Sequence, residues 1–485
     1  MQSLTTKPHA VLLSSPGAGH LIPVLELGKR LVTLLNFDVT IFAVASHKSA
    51  AESDIIQSAM RPNLCEVIEL PPPDISALVG PEAKVGTILR VIMREAKPAL
   101  RSAISSLKSP PTVMIVDLFG TESLVIAEEL EISKYVFIAS HAWFLALSVY
   151  IPTLDKIVQG EYVDQKEPLD IPGCMPVRPE DVVDPMLDRN DQHYFEYLRS
   201  GEEIPLSDGV LVNTWKDLQP KTLAALRDDK LLGRVMKAPI YTVGPIVRSL
   251  GPAGSKNELF DWLDKQPSES VVFVSFGSGG TLSTEQLTEL ALGLELSQQR
   301  FVWVVRPPTV KTGDGSFFTA GNGGDDLSSY LLPEGFLTRT HHTGMVVPKW
   351  APQLEILSHP SVGGFFSHCG WNSTLESITN GVPMIAWPLY AEQKMNATML
   401  AEEVGLAVRS EKLPTKGVVG REEIKCMVRR VMVEEEGNGI RNKVKEIKRS
   451  AERAWKEGGS SYNALSLLAK QCEIICKQRQ KMKNL

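Results

Sequence analysis

The feature that most constrains the fold of this chain is a series of short apolar runs, each followed by a stretch of helix-forming character. The runs include His9 to Ser14, Val39 to Ala43, Val113 to Val116, Val271 to Phe276 and Phe301 to Val305. Their apolar residues are continuous and do not alternate with polar ones. Strands of this kind are buried on both faces, as in parallel sheets that helices cover. The pattern therefore predicts the α/β class.

The same pattern begins a second time in the second half of the chain. Between the two series lie Val243-Gly244-Pro245 and then Ser249 to Lys256, whose glycines and proline are typical of a linker. A chain of 485 residues also exceeds what one hydrophobic core usually serves. We therefore predict two Rossmann-like domains with parallel sheets facing a cleft, residues 1–248 and 257–485, joined by a linker at 249–256. The last helix of the second domain is free to pack back on the first.

Composition indicates an ordinary globular enzyme. Hydrophobic residues make up 43% of the chain and charged residues 22%, and a net charge of −6 gives no sign of nucleic-acid binding. The six cysteines are scattered without paired spacing, which suits a reducing compartment. Met1 to His9 lacks the apolar core of a signal peptide. We expect a cytoplasmic monomer.

Two further stretches bear on the organisation. Tyr135 to Leu154 carries no charged residue and is long enough to span a bilayer. However, Ser140-His141 divides it and Pro152 ends it, so we expect a short buried strand followed by a buried helix and no membrane span. Pro307 to Ser329 is rich in Gly, Thr, Ser and Asp, which predicts a long surface loop in the second domain.

The densest chemical signal lies between Trp350 and Gln393. Gly363 to Ser367 has the character of a strand, and Ser373 with Glu376 forms a capping box for the helix that follows. A helix amino terminus at the end of a parallel strand binds anions, because its amide groups and its dipole favour negative charge. A diphosphate would fit there. The alternative is that Ser373 and Glu376 only cap the helix and that His368 is a satisfied core histidine.

Over all its 44 positions, Trp350 to Gln393 resembles the signature of plant secondary-product glycosyltransferases, the UDP-sugar enzymes of the inverting GT-B class. The whole chain resembles the branch of hydroquinone (arbutin-forming), monolignol and other phenolic glucosyltransferases. Four further runs support this: Val116 to Thr121, Ile171 to Cys174, the SFGSGG run from Ser275 to Gly280, and Trp387 to Lys394. The resemblance implies a GT-B fold and transfer of glucose from UDP-glucose to a small aromatic acceptor.

The resemblance also implies a donor site in the second domain. Its expected members recognise four parts of the sugar nucleotide. Trp350 stacks on uracil and Gln353 binds the nucleoside; His368, Asn372, Ser373 and Ser278 contact the diphosphate; Glu376 binds the ribose; Glu392 and Gln393 hold the sugar; and Trp371 belongs to the same run. Glutamine in the last place accompanies glucose, which predicts UDP-glucose as the donor.

A second conspicuous run is the glycine turn Ser15-Pro16-Gly17-Ala18-Gly19-His20, which follows the first apolar run. Its glycines suggest a dinucleotide site, but the third glycine of that fingerprint is replaced by Ile22. The resemblance implies instead that His20 is the general base and that Asp117 holds it. Imidazole titrates near neutral pH, as a base for a sugar acceptor requires. An NAD-dependent oxidoreductase and a non-catalytic sugar-nucleotide-binding protein remain the alternatives.

The sequence also bears on the metal requirement of the reaction and on its acceptor. The sequence has no Asp-x-Asp triplet, so we expect no metal and no cofactor besides the donor substrate. Helix dipole and side chains would then stabilise the leaving UDP. Phe119, His141 and Trp143 are candidate acceptor contacts, with ordinary core packing as the alternative. We expect a phenolic, phenylpropanoid or flavonoid acceptor and transfer to oxygen, while transfer to a ring carbon stays open.

Overall fold

The computed structural model describes residues 7–45, 53–57, 64–249, 258–310, 313–315, 317–318 and 331–483. The chain divides into two compact units. The first comprises Met1–Glu180, Pro185–Ile246 and Arg453–Leu485, and the second comprises Asp181–Asp184 and Val247–Glu452. The short insertion from the first half into the second unit was not predicted. The proposed linker at 249–256 lies almost wholly, and the loop at 307–329 largely, outside the described residues.

The first unit is built on a parallel sheet of seven described strands. In chain order they are β1 His9–Ser14, β2 Asp38–Val44, β3 Glu66–Leu70, β4 Val113–Asp117, β5 Ser133–Ile138, β6 Gly209–Val212 and β7 Ile240–Thr242. Their order in the sheet is β3-β2-β1-β4-β5-β6-β7, and every pair is parallel. β1, β2 and β4 coincide with predicted apolar runs to within one residue at each end. The parallel α/β prediction is therefore confirmed here.

Helices accompany these strands. They span Ala18–Leu35, Val85–Glu95, Lys97–Ser105, Leu124–Glu129, Ala142–Ile157, Gln192–Glu203, Pro220–Arg227 and Ser460–Lys483. The last of them belongs to this unit because Leu465, Leu468 and Cys472 are buried in the same core as β1 and β2. The Trp455 indole also donates to the Pro245 carbonyl at 3.0 Å.

The uncharged stretch after β5 forms a buried helix, as expected, but Pro152 does not end it. The helix Ala142–Ile157 continues through Pro152. Proline cannot donate to the carbonyl four residues earlier, which is that of Ser148. A Cβ at Gly201 would lie 2.3 Å from this carbonyl oxygen, so the neighbouring helix packs closely at the interrupted turn. Tertiary packing thus overrides the local stop signal. Within the described part of the chain, no helix has the length and hydropathy of a membrane span.

The second unit repeats the architecture with six described parallel strands. They are β8 Val271–Ser275, β9 Arg300–Val305, β10 Gly344–Pro348, β11 Val362–Ser367, β12 Met384–Ala386 and β13 Ala407–Arg409, in the order β10-β9-β8-β11-β12-β13. Its helices span Glu258–Leu263, Thr284–Ser297, Phe336–Thr340, Gln353–Leu357, Trp371–Asn380, Gln393–Thr398, Arg421–Met432 and Glu435–Ala454. A π-helix, Met399–Val404, continues the helix Gln393–Thr398.

Candidate functional site

The carboxyl ends of β1 and β4 form the first candidate site, which lies in the first unit. The strand order reverses between these two neighbours, and ligands of open α/β sheets bind at such a point. The chain leaves β1 and turns at Gly17, whose φ of 103° is rare for a residue with a Cβ. The helix begins at Ala18, so His20 lies in its first turn, beside the end of β4.

Asp117 is the last residue of β4, and its carboxylate is buried and fixed by three donors. Oδ2 accepts the backbone N–H of Ser15 at 2.9 Å and the Ser15 hydroxyl, and Oδ1 accepts the N–H of Gly120 at 3.1 Å. Nδ1 of His20 lies 3.7 Å from Oδ2, an ion-pair distance slightly longer than a hydrogen bond. The structure therefore brings together the two residues predicted as base and partner.

Phe119 lies beside the imidazole. It belongs to the 3-10 helix Leu118–Ser123, which directly follows Asp117. Its ring meets that of His20 edge to face, with centroids 5.1 Å apart. The His20 side chain keeps 23% of its surface exposed, so the imidazole is accessible as well as held.

His141 and Trp143, the other two predicted acceptor residues, are wholly buried. Each has 0% of its surface exposed. Nδ1 of His141 lies 3.1 Å from the Gln219 amide nitrogen, and the Gln219 amide oxygen accepts the Ala142 N–H at 2.9 Å. These contacts order the start of the helix Ala142–Ile157. The burial favours the core-packing alternative for both residues.

The second candidate site lies in the second unit, where β8 and β11 end side by side. Ser275 pairs with Ser367 at the last position of each strand, so the two following loops leave the sheet together. His368 occupies the space between them. A Cβ on Gly277 or on Gly370 would lie 2.4 Å from its Nε2. Glycine at both positions is what lets the imidazole fit between the loops.

The environment of His368 keeps its ring neutral. Burial, with the positive charge of Arg306, lowers the pKa of His368 to about 3. Nδ1 is buried and has no hydrogen-bond partner within the described residues. A buried polar atom left without a partner is costly, and a ligand atom that supplies the missing hydrogen bond removes this cost. His368 is thus not the satisfied core histidine of the alternative hypothesis.

The predicted capping box is wrong. The helix after β11 begins at Trp371, two residues earlier than expected, with Gly370 as its N-cap and no side-chain cap. The reason is the turn before it, where Cys369 adopts φ 63° and directs the chain into the helix at once. Trp371, Asn372 and Ser373 consequently form the first turn, whose amides favour an anion.

Ser373 and Glu376 instead share a hydrogen-bond partner. The Gln353 amide nitrogen donates to Ser373 Oγ at 2.8 Å and to Glu376 Oε2 at 2.7 Å. Burial raises the pKa of Glu376, and the hydrogen bond from Gln353 opposes this shift. Three predicted nucleoside and diphosphate contacts therefore form one polar cluster at the start of the helix Trp371–Asn380.

Trp350 and Ser278 lie just beyond the ends of β10 and β8 in this sheet. Trp350 follows β10 and has 61% of its surface exposed, which is unusual for tryptophan and leaves a flat ring face in contact with solvent. Ser278 is half-buried in the loop after β8. Both residues therefore share the carboxyl edge of the sheet with His368.

The predicted sugar pair follows β12. The Gln393 amide oxygen accepts the N–H of Leu389 at 2.9 Å and that of Tyr390 at 3.1 Å. Both lone pairs of that oxygen are thus occupied by the backbone, which leaves the amide nitrogen as the donor of this side chain; a side-chain hydrogen bond also joins Gln393 to Tyr390. Glu392 is the N-cap residue of the helix Gln393–Thr398, and its Oε1 lies 3.5 Å from the Asn396 amide nitrogen.

Sequence reasoning missed two residues at this edge, Arg306 and Tyr390. Arg306 directly follows β9 and donates to the Gly280 carbonyl at 3.2 Å, and its charge acts on His368 and on Tyr390. A Cβ at Gly279 would lie 2.8 Å from the Tyr390 hydroxyl. Burial raises the pKa of Tyr390 to about 12, against the effect of Arg306. The position of Arg306 right after a predicted strand was the signal that could have found it.

A metal site does not emerge from the described residues. Among them, no group of three or more His, Cys, Asp and Glu side chains is arranged to hold an ion. The polar groups described above are of two kinds. Helix amides and neutral or cationic side chains can donate hydrogen bonds to phosphate oxygens, and carboxylates can accept hydrogen bonds from hydroxyl groups.

Comparison with known proteins identifies the family of this chain. Residues 251–424 match the family model "UDP-glucoronosyl and UDP-glucosyl transferase". The chain is 64% identical over 482 residues to anthocyanidin 3-O-glucosyltransferase 5 of Manihot esculenta, with 99% of each chain covered.

Solved structures show the same fold. TcCGT1 in complex with UDP is 51% identical, with a TM-score of 0.90 over 97% of this chain and 100% of that one. Phytolacca americana UGT2, complexed with UDP-2-fluoro-glucose and pterostilbene, is 39% identical, with a TM-score of 0.84 over 96% and 99%. The chain therefore has the GT-B fold and belongs to the family of plant UDP-glycosyltransferases, enzymes that transfer a sugar from a UDP-sugar to small acceptors of secondary metabolism.

Proposed function

We propose that this enzyme transfers glucose from UDP-glucose, with inversion, to a phenolic hydroxyl of a small aromatic acceptor, and that His20 is the general base. The observation that carries the proposal is the placement of His20 beside a carboxylate fixed by three donors. Family membership removes the support for a dehydrogenase, and an accessible imidazole with a buried partner argues against a protein that only binds sugar nucleotides.

The chemistry is a single displacement. The acceptor oxygen attacks the anomeric carbon from the face opposite to UDP, the bond from that carbon to the phosphate oxygen breaks, and His20 takes the acceptor proton. Attack from the opposite face inverts the anomeric configuration. The buried Asp117 carboxylate would orient the ring through Nδ1 and stabilise the imidazolium that forms. Nε2, across the ring, would then receive the proton.

The leaving UDP gains negative charge on its diphosphate, and the second unit offers donors for it. The first-turn amides of Trp371, Asn372 and Ser373 form the positive end of a helix. Neutral His368 adds a hydrogen-bonding group with an unsatisfied nitrogen, and Arg306 adds positive charge close by. These groups would stabilise the leaving group without a metal.

The rest of the donor would follow the other residues of that edge. The exposed ring of Trp350 would stack on uracil, and the Gln353–Glu376 pair would hold the nucleoside, with Glu376 on the ribose hydroxyls. Glu392 accepts and Gln393 donates, so the pair would bind adjacent sugar hydroxyls. Phytolacca americana UGT2, the relative with UDP-2-fluoro-glucose bound, supports a glucose donor for this chain.

An aromatic acceptor fits both the strength of the base and the names of two relatives. A phenol loses its proton near pH 10, far below an aliphatic alcohol, so a base of histidine strength assists it more readily. Phe119, edge to face with His20, would contact a flat acceptor ring. The Manihot relative is named for anthocyanidin 3-O-glucosylation, and pterostilbene is bound to the Phytolacca relative. Both names support an aromatic acceptor here.

The test is an acceptor screen with UDP-glucose. Hydroquinone, coniferyl alcohol, quercetin, phloretin and an anthocyanidin are compared with a terpenoid alcohol and a sterol, and each product is identified by mass and NMR. We expect β-O-glucosides of the phenols. Efficient transfer only to the terpenoid or sterol would refute the acceptor class, and acid-stable aryl products would move the linkage from oxygen to carbon. Matched assays with UDP-galactose and UDP-glucuronate test the donor.

A further inference from the structure

The segment Asp181–Asp184 belongs to the second unit, although it comes from the first half of the chain. Val182 and Val183 in its middle are completely buried. An aspartate lies at each end: Asp184 contacts the turn before the sugar pair, and Asp181 contacts the far end of the helix that begins at Gln393. We call this segment the strap.

Asp181 anchors one end of the strap. It is fully buried and binds the Arg409 guanidinium through two hydrogen bonds, of 2.8 and 3.0 Å. Its Oδ2 also accepts the Thr398 hydroxyl at 2.9 Å. A bidentate Arg–carboxylate pair fixes orientation as well as position. The strap is therefore held against the end of β13 and the end of the helix Gln393–Thr398.

Asp184 forms hydrogen bonds with both polar backbone groups of Ala391. Its N–H donates to the Ala391 carbonyl at 3.1 Å, and its Oδ2 accepts the Ala391 N–H at 2.7 Å. Its Oδ1 lies 3.1 Å from the ammonium group of Lys394, a side chain with only 4% of its surface exposed. Asp184 thus contacts both the turn before Glu392 and the first turn of the helix after it.

Ala391 needs this support. Its φ of 56° lies in the left-handed region, which a residue with a Cβ adopts only when its surroundings hold it there. Asp184 satisfies both polar backbone groups of Ala391 in that conformation. The next two residues are Glu392 and Gln393, so the direction of both side chains depends on this turn.

From this geometry we infer that Asp184 is a positioning residue for donor-sugar selection, acting through the Ala391 turn on Glu392 and Gln393. The inference rests on the proposed function, in which that pair holds the sugar. Asp184 touches neither the nucleoside cluster of Gln353 and Glu376 nor His368 in the described contacts. Its loss should therefore alter how the sugar is chosen and leave the affinity for UDP alone.

The experiment compares Asp184→Ala and Asp184→Asn with the matched control Asp188→Asn, an exposed aspartate four residues further along. Asn keeps an oxygen for the Ala391 N–H and removes the charge facing Lys394. We measure kcat and KM with UDP-glucose and UDP-galactose, and the Kd of UDP by calorimetry. Thermal unfolding verifies that each variant is folded.

Asp184→Ala removes the acceptor of the Ala391 N–H and the partner of Lys394. We expect it to lower kcat/KM for UDP-glucose by about tenfold or more, and to narrow the preference for UDP-glucose over UDP-galactose by about tenfold. Asp184→Asn should narrow the preference about threefold. In all three variants the Kd of UDP should stay within about twofold of wild type, and Asp188→Asn should match wild type throughout. If Asp184→Ala does not fold, Asp184→Asn decides.

A donor preference unchanged in Asp184→Asn and in folded Asp184→Ala, or a Kd of UDP that weakens in parallel with kcat/KM, overturns the inference. Gln393→Ala separates this failure from that of the proposed function. If Gln393→Ala also leaves the donor preference unchanged, the assignment of the sugar pair is wrong. If it changes the preference and the Asp184 variants do not, only the role of Asp184 is lost.

Discussion

Nδ1 of His20 lies 3.7 Å from Oδ2 of Asp117, and the two residues meet because β1 and β4 are neighbours in the sheet although about a hundred residues separate them in sequence. The carboxylate is held by Ser15 and Gly120, so the aspartate presents a fixed acceptor to the imidazole.

His20→Ala should lower kcat by about 10²- to 10⁴-fold, the usual contribution of a general base. The Kd of UDP should not change, since the donor-binding groups proposed above lie in the second unit. Phe119→Leu is the matched control, because it alters the ring beside His20 and leaves the base in place. Turnover by His20→Ala at the wild-type rate would remove His20 from the mechanism.

Asp117→Asn should also lower kcat, by about tenfold or more and less than His20→Ala. The amide cannot offset the charge of an imidazolium, and one of the two backbone N–H donors, that of Ser15 or that of Gly120, loses its acceptor. Initial-rate kinetics with a phenolic acceptor measure the effect. An Asp117→Asn enzyme as fast as wild type would show that the carboxylate has only a structural role.

Gln393→His should weaken the use of UDP-glucose by about 1–3 kcal/mol in kcat/KM, since the donor N–H to the sugar is lost or displaced. It should also lower the melting temperature, because the Leu389 and Tyr390 amides lose their shared acceptor. Gln393→Glu is the informative control. It keeps an oxygen for both amides and removes the N–H, so activity should fall while stability is kept. Full activity of Gln393→His with UDP-glucose would contradict the donor assignment.

The pH dependence of stability should carry a contribution from His368. Its pKa is about 3 in the folded chain and close to 6.5 when unfolded, so below pH 6.5 the unfolded state binds the extra proton. Stability from this group is therefore present above pH 6.5 and is lost as the pH falls toward 3. At pH 5 the loss amounts to about 2 kcal/mol.

Urea unfolding of wild type and His368→Gln at pH 7.5 and at pH 5 isolates this contribution. The glutamine side chain does not titrate, so the difference in unfolding free energy between the two proteins should shift between these pH values by about 2 kcal/mol. An identical pH dependence in both proteins would show that His368 is not held neutral by burial.

Removal of metal should leave the reaction intact if helix amides, His368 and Arg306 stabilise the leaving UDP. With excess EDTA we expect the rate to stay within about twofold of that in Mg²⁺. A collapse of activity that Mg²⁺ or Mn²⁺ restores would require metal ligands that the proposal does not contain.

The sequence by itself determined the fold class and the positions from which the chemistry is argued. Short continuous apolar runs such as His9 to Ser14, each followed by a helix-forming stretch, favour strands buried on both faces, and in parallel sheets the residues after such strands reach the functional edge. This local rule agrees with the positions of His20, Asp117 and His368, whose roles the resemblance implied. The resemblance added the nucleotide-binding roles expected of Trp350 and Gln393.

Only the tertiary structure decided which distant groups meet. Gln353 joins Ser373 to Glu376, although sequence reasoning made the latter two a helix cap, and packing carries a helix through Pro152 against a local stop signal. Asp184 reaches Ala391 from two hundred residues away. The physical reason is that strand and helix periodicity act over a few residues, whereas contacts between side chains depend on how whole elements pack, which no local pattern specifies.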